Sequence, residues 1–385
     1  MCLTLSGVRA MGVLSALAKV PIGQLAMKNS NSQKANWPSM KHVGQSALTP
    51  HHIRTPCVDH ARREIPTNGG LASGLQHCPL AKVPVQKQFS RRQMEDKKRN
   101  TVVIAVGNQK GGVGKTTNTI QLAGALAERG RRSLVIDLDM TSGATKALHA
   151  PTEGWISSFE LLTGAENAED TIITNEETEV ALPPNIHLVP SSRKLAELDT
   201  FLALNPWLNH QDLLIGPINR LRGKYDYIFL DTPPQKTKTT IPALKVADYA
   251  VLSAMPDHLA VSALAEALSD IAAAQKHANP KLKLLGVIVC AMPRPKTRLA
   301  RELSGYVERT CVDALGHTLK FTTEISRSVA VQEAQKMGQT ILQYQGDHPV
   351  ADEYRSLARE FEERLASLNL EPETTAVTER EVAHA

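Results

Sequence analysis

Residues 110–117 read Lys110-Gly111-Gly112-Val113-Gly114-Lys115-Thr116-Thr117, a spacing of glycines, cations and hydroxyls suited to holding a polyphosphate. Phosphate oxygens need several donors converging on one point, and glycines let successive backbone N–H groups turn inward without Cβ clashes. A helix beginning at Lys115 adds the positive end of its dipole. Lys115 is placed to reach the β and γ phosphates, and the Thr116 hydroxyl to ligate Mg²⁺. The strict loop pattern asks for glycine at 109; Gln109 stands there, and a second lysine, Lys110, has entered the loop.

Two acidic groups follow at the ends of apolar runs. Leu134-Val135-Ile136-Asp137-Leu138-Asp139 sets two carboxylates where the ligand crevice of an open α/β sheet lies, although such acids also serve simply to finish a strand. Tyr225-Asp226-Tyr227-Ile228-Phe229-Leu230-Asp231 ends in an acid before the rigid turn Thr232-Pro233-Pro234, an arrangement of the Walker B type. Asp231 is expected to hold Mg²⁺ directly or through a water. Lys236 and Lys238, just beyond, read equally as solvated charges or as partner contacts.

Such groups have to be delivered by a frame. From residue 101 short apolar runs alternate with longer amphipathic segments, which predicts an α/β domain: a mostly parallel twisted sheet with helices on both faces. The strands are expected at Val102 to Val106, Ser133 to Leu138, Ile186 to Val189, Tyr227 to Leu230, Tyr249 to Ala254 and Leu284 to Val289. Helices are expected over Thr116 to Arg129, near 209–222, 258–276 and 298–314, and from Val350 to Leu368.

The formal net charge of +5 is unevenly spread: residues 1–100 carry 15 Lys/Arg against 4 Asp/Glu, and residues 101–385 carry 29 against 35. The basic character belongs to the first quarter, and a summed charge says nothing of a local basic surface on the body. Residues 1–93 show no sustained apolar period and read as disordered or as an upstream extension ahead of Met94. A P-loop domain is expected over residues 94–369 and an acidic, polar tail over 370–385. The five cysteines form no CxxC pair, so neither a zinc ribbon nor a disulfide framework is indicated. No run approaches the ~20 apolar residues of a membrane span.

The whole string Asn108 to Thr117 resembles the deviant Walker A motif of the ParA and MinD family, a P-loop NTPase group. The resemblance continues in order through Asp137-Leu138-Asp139, Ile186 to Ser192, the Asp231 strand, Ile325 to Ala334 and Ile341 to Tyr344. It implies an ATPase that uses ATP and Mg²⁺ and closes an ATP-dependent homodimer, with Lys110 reaching the nucleotide of the partner subunit. It further implies that Asp139 orients the attacking water and that the stretch after Asp231 is a switch. In the family the DxD continues as Pro-Gln-Gly-Asn, whereas Met140, Thr141, Ser142 and Gly143 stand here.

Within that family the ParA resemblance implies nonspecific DNA binding and plasmid or chromosome partitioning in the cytoplasm, on the nucleoid, with a ParB-like centromere-binding protein as stimulating partner. Arg327 is the first DNA-binding candidate, followed by Lys320, Arg298, Arg301 and Lys336. The alternatives are a MinD-like ATPase positioning the division site or a protein cluster, and a nucleotide-bound scaffold with negligible turnover. A membrane partner is not expected, because the end EPETTAVTEREVAHA is acidic and lacks Phe and Trp, unlike a lipid-binding amphipathic helix.

Overall fold

The computed structural model describes residues 100–175, 181–313 and 315–370, and the readings of residues 1–93 and of the tail beyond 370 lie outside them. Among the described residues six parallel strands make one sheet: β1 Val102–Gly107, β2 Ser133–Asp137, β3 Ile186–Val189, β4 Tyr227–Asp231, β5 Tyr249–Ala254 and β6 Lys283–Val289. Their order is β3-β2-β4-β1-β5-β6. Each falls within one residue of its expected ends, because a strand buried on both faces reads as a near-continuous apolar run that charged or turn residues cut off sharply.

Side chains alternate across the sheet and feed two cores. Val103, Ala105, Leu134, Ile136, Ile228 and Leu230 pack on one face. Ile104, Val106, Val135 and Phe229 pack on the other. The first face is covered by helices Ile215–Leu221, Thr240–Val246, Ala260–His277 and Arg298–Thr310, through residues such as Ile218, Ala243, Leu264 and Leu303. Helices Lys115–Glu128 and Pro349–Leu370 cover the second with Leu122, Leu126, Leu357 and Phe361. Phe361 meets Tyr227 edge-on at 5.5 Å between centroids, and burying its ring contributes about 2–3 kcal/mol.

Two expected helices differ in extent. The stretch 209–222 is a 3₁₀ turn, His210–Asp212, and then a separate helix, Ile215–Leu221. Asn209 caps the turn by accepting from Gln211 N, and Pro217, which has no N–H, is tolerated only near a helix start. The helix expected to reach 314 stops at Thr310; Cys311 leaves helical geometry, and Val312 bridges Thr318 instead. The last helix runs to Leu370, one residue into the segment read as tail.

Strand order places the site. β1 lies between β4 and β5, with β2 and β3 beyond one neighbour and β6 beyond the other. Connections from the centre therefore leave in opposite directions, opening a crevice above the carboxyl ends of the strands. The phosphate loop, Asp139 and Asp231 all follow those ends. No helix among the described residues is long and apolar enough to cross a membrane.

Candidate active site

The loop after β1 rises and turns into the Lys115–Glu128 helix through Gly114, which caps it at φ 84°. A Cβ at Gly114 would stand 2.9 Å from Cys290 Sγ, so both the left-handed backbone and the lack of space demand glycine there. Cys290, just past β6, supports the loop by directing its thiol to Val113 O at 3.2 Å. At the other end of the loop Asn108 accepts from Lys110 N at 3.0 Å and donates to Ser253 O on β5 at 2.6 Å.

Lys115 is 6% exposed, and its ammonium donates to Lys110 O at 3.1 Å. Burial lowers its pKa, while the carboxylates of Asp231 and Asp139 pull the other way. Thr116 Oγ1 donates to Asp231 Oδ2 at 2.7 Å, joining the first turn of the helix to the end of β4. Asp231 is fully buried, and its Oδ1 has no hydrogen-bond partner among the described residues. Burial, and then the nearby Asp137 carboxylate, push the Asp231 carboxyl well above the usual range. An orphaned carboxylate oxygen beside a threonine hydroxyl, both hard oxygen donors, fits Mg²⁺.

Asp137 and Asp139 divide the work. Asp137 is buried and saturated: Thr145 donates to Oδ2 from N at 2.9 Å and from Oγ1 at 2.7 Å, and Asp139 N donates to Oδ1 at 3.1 Å. Its role is to fold the loop that follows β2. Asp139 is half-buried, and Thr141 N donates to its Oδ1 at 2.8 Å. Ser191, at the end of the Ile186 to Ser192 stretch, donates to Asp139 O at 2.6 Å and so sets the height of that loop. Ser142 adopts φ 57°, and Gly143 abuts Thr116: a Cβ there would lie 3.3 Å from Thr116 Oγ1.

Lys110 takes a different direction from Lys115. Its ammonium pairs with Asp257 Oδ1 at 2.5 Å, both side chains being about one-quarter exposed. Below it, Asp270 on the Ala260–His277 helix accepts from Gln109 Nε2 and pairs with Lys236. Lys236 is thus ion-paired, while its side chain stays 61% exposed. Asp257, Asp270, Ser253 and Cys290 carried no signal in the sequence; each meets its loop partner from more than 140 residues away.

A cleft of about 370 Å³ opens beside the loop, with Gly112, Thr117 and Asn118 on one side and Ser326, Val331 and Gln335 on the other. Gln335 Nε2 closes toward Thr117 Oγ1 at 3.2 Å. Arg327 is exposed on the lip of this cleft. Arg298, Arg301 and Lys336 are exposed, Arg298 paired only with Glu302 one turn on. Lys320 differs: it is 9% exposed and pairs with Glu324 at 3.2 Å.

A family model described as an AAA domain matches residues 101–284. The chromosome-partitioning ATPase Soj of Thermus thermophilus is 33% identical over 264 residues, which are 68% of this chain and 96% of its own length. The chain belongs to the ParA/MinD family of partitioning ATPases. The sporulation initiation inhibitor protein Soj of Bacillus subtilis is 30% identical over 67% of this chain and 97% of its own length. Among solved structures, cobyrinic acid a,c-diamide synthase from Mycobacterium smegmatis with bound ADP and magnesium superposes with a TM-score of 0.57. It is 25% identical, over 69% of this chain and 96% of that one. As a ParA/MinD ATPase the chain has the six-stranded parallel sheet of its structural neighbours, and its matched region spans every strand from β1 to the start of β6.

Proposed function

We propose that this ParA/MinD ATPase is an ATP-dependent dimerisation switch that binds nonspecific DNA and hydrolyses ATP to drive plasmid or chromosome partitioning. The observation that carries this reading is the divergence of the two loop lysines. Lys115 lies with Asp231 and Asp139 inside its own site, whereas the Lys110 ammonium is turned to Asp257 and paired with it. Released from Asp257, that second loop cation can serve a triphosphate presented by a second copy.

Loop amides and Lys115 would bind and orient the triphosphate, and Thr116 with Asp231 would hold Mg²⁺. The ion supplies charge neutralisation on the phosphate oxygens. Asp139, half-buried and with one oxygen unclaimed by Thr141, would accept the proton side of the attacking water and hold it in line. Loss of the γ phosphate then removes the cross-subunit contact of Lys110 and releases the dimer.

For DNA, the exposed Arg327, Arg298, Arg301 and Lys336 are the proposed phosphate contacts, and the buried, paired Lys320 is set aside. A ParB-like centromere-binding protein is the proposed stimulator, and the nucleoid in the cytoplasm the proposed location. The named activity of the Thermus relative, chromosome partitioning, supports this reading. A scaffold with negligible turnover is favoured by one specific observation: Met140 to Gly143 replace the family sequence after Asp139, and Thr141 N already occupies Asp139 Oδ1. ATP turnover measured alone, with DNA, and with DNA plus a ParB-type protein decides between them. Stimulation by the pair is expected; ATP binding without turnover would replace the switch with the scaffold.

A further inference from the structure

The two walls of the nucleotide cleft come from segments far apart in the chain, yet adjacent residues of one helix hold both. On the phosphate-loop wall, Tyr354 donates its hydroxyl to Asn118 Oδ1 at 3.0 Å, and Asn118 Nδ2 donates to Ser253 Oγ at 3.1 Å. Asn118 sits in the first turn after the loop, its N–H bonded to Gly114 O at 2.8 Å. On the opposite wall, Glu353 accepts from Ser326 N at 2.6 Å and from Ser326 Oγ at 2.7 Å, and it also pairs with Arg294. The helix that carries both residues is anchored elsewhere: Glu362 bridges Arg129 and Arg131, and Arg364 donates to the carbonyls of Leu285, Leu319 and Lys320.

We propose that Glu353 and Tyr354 are positioning residues that together set the width of the nucleotide cleft. Tyr354 acts through Asn118 on the phosphate end, and Glu353 acts through Ser326 on the nucleoside end. The proposal rests on the nucleotide reading above. Phosphates gathered by the loop amides leave the ribose and base to the rest of the cleft, where Ser326 stands. The neighbours of Ser326 pair with the chain at and after the end of β6, Ile325 N donating to Val289 O and Arg327 N to Met292 O, which leaves the N–H and hydroxyl of Ser326 itself to the charged acceptor Glu353. Tyr354 and Asn118 are each 1% exposed, and a lost hydroxyl there leaves a buried acceptor unsatisfied.

Two ligands separate the two ends: ATP, which fills the whole cleft, and inorganic tripolyphosphate, which fills only the loop. Titration calorimetry with Mg²⁺ on the full chain is expected to show Glu353→Gln weakening ATP by about tenfold while tripolyphosphate changes less than about twofold. Tyr354→Phe is expected to weaken both ligands together, by about fivefold. Should Glu353→Gln fail to fold, Ser326→Ala carries the same ligand split. Equal weakening of both ligands by Glu353→Gln or Ser326→Ala, or no change in either, would overturn the inference. Wild-type protein that binds neither ligand would instead overturn the nucleotide reading itself.

Discussion

Lys110 and Asp257 form an ion pair within one chain, 2.5 Å from Nζ to Oδ1, at the rim of the phosphate loop. A lysine that is to serve a second subunit must first leave this partner, so the pair opposes assembly. Asp257→Asn is expected to lower the protein concentration needed for ATP-dependent dimerisation by several-fold, a modest effect because the pair is partly solvated. Lys110→Ala is expected to stay monomeric with ATP and Mg²⁺. Light scattering reads both, and a Lys110→Ala protein that dimerises like wild type would remove the switch.

Asp231 carries a buried oxygen without a partner, which costs stability until a cation is bound. Asp231→Asn is therefore expected to raise the stability of the nucleotide-free protein by about 1–2 kcal/mol and to abolish the stabilisation that Mg²⁺-ATP gives. Chelating the metal from wild-type protein should reproduce the second effect alone. Thermal denaturation with and without Mg²⁺-ATP checks both signs.

The loop after Asp139 holds Ser142 at φ 57°, a backbone that costs a non-glycine residue about 1–2 kcal/mol. Ser142→Gly is expected to raise stability by about 0.5 kcal/mol once the added freedom of the unfolded chain is subtracted. Gly143→Ala should act on function instead, because its Cβ would crowd Thr116 Oγ1 at 3.3 Å and shift the hydroxyl off Asp231. Urea unfolding measures the first, and the Mg²⁺ dependence of ATP binding the second; unaltered Mg²⁺ dependence would show that Thr116 yields freely.

His187 is kept neutral in the native state: burial, aided by Arg132, depresses its pKa to about 4. The unfolded chain takes up a proton near pH 6.5, the native one only near 4, so stability present at pH 7 is lost as pH falls between those values. The expected loss is about 2.5 kcal/mol by pH 4.5. Replacing the ring with a neutral side chain in His187→Gln should flatten the urea midpoint over that window; an unchanged slope would assign the acid sensitivity to other groups.

The strands and the phosphate loop were legible because their information is local: apolar runs end at Asp137 and Asp231, and two lysines bracket three glycines within eight residues. The ion pair of Lys236 with Asp270 was not, since a charge after a turn looks the same whether it meets water or a carboxylate 34 residues on. Lys320 illustrates the same gap. Its sequence context offers a basic residue near the carboxyl-terminal block, while only the fold reveals that Glu324 and its neighbours enclose it. The break between His210–Asp212 and Ile215–Leu221 was encoded in Asn209 and Pro217 but masked by the apolar spacing around them.

Asp270 is shared between Gln109, at the entrance of the phosphate loop, and Lys236, on the segment that follows Asp231. A single carboxylate thus acts as the common abutment for both segments. The entrance of the phosphate loop and the segment after Asp231 therefore share one attachment point. The Ala260–His277 helix that bears this carboxylate ties both segments to the layer covering that face of the sheet, through Ala260, Leu264, Ala267 and Ile271.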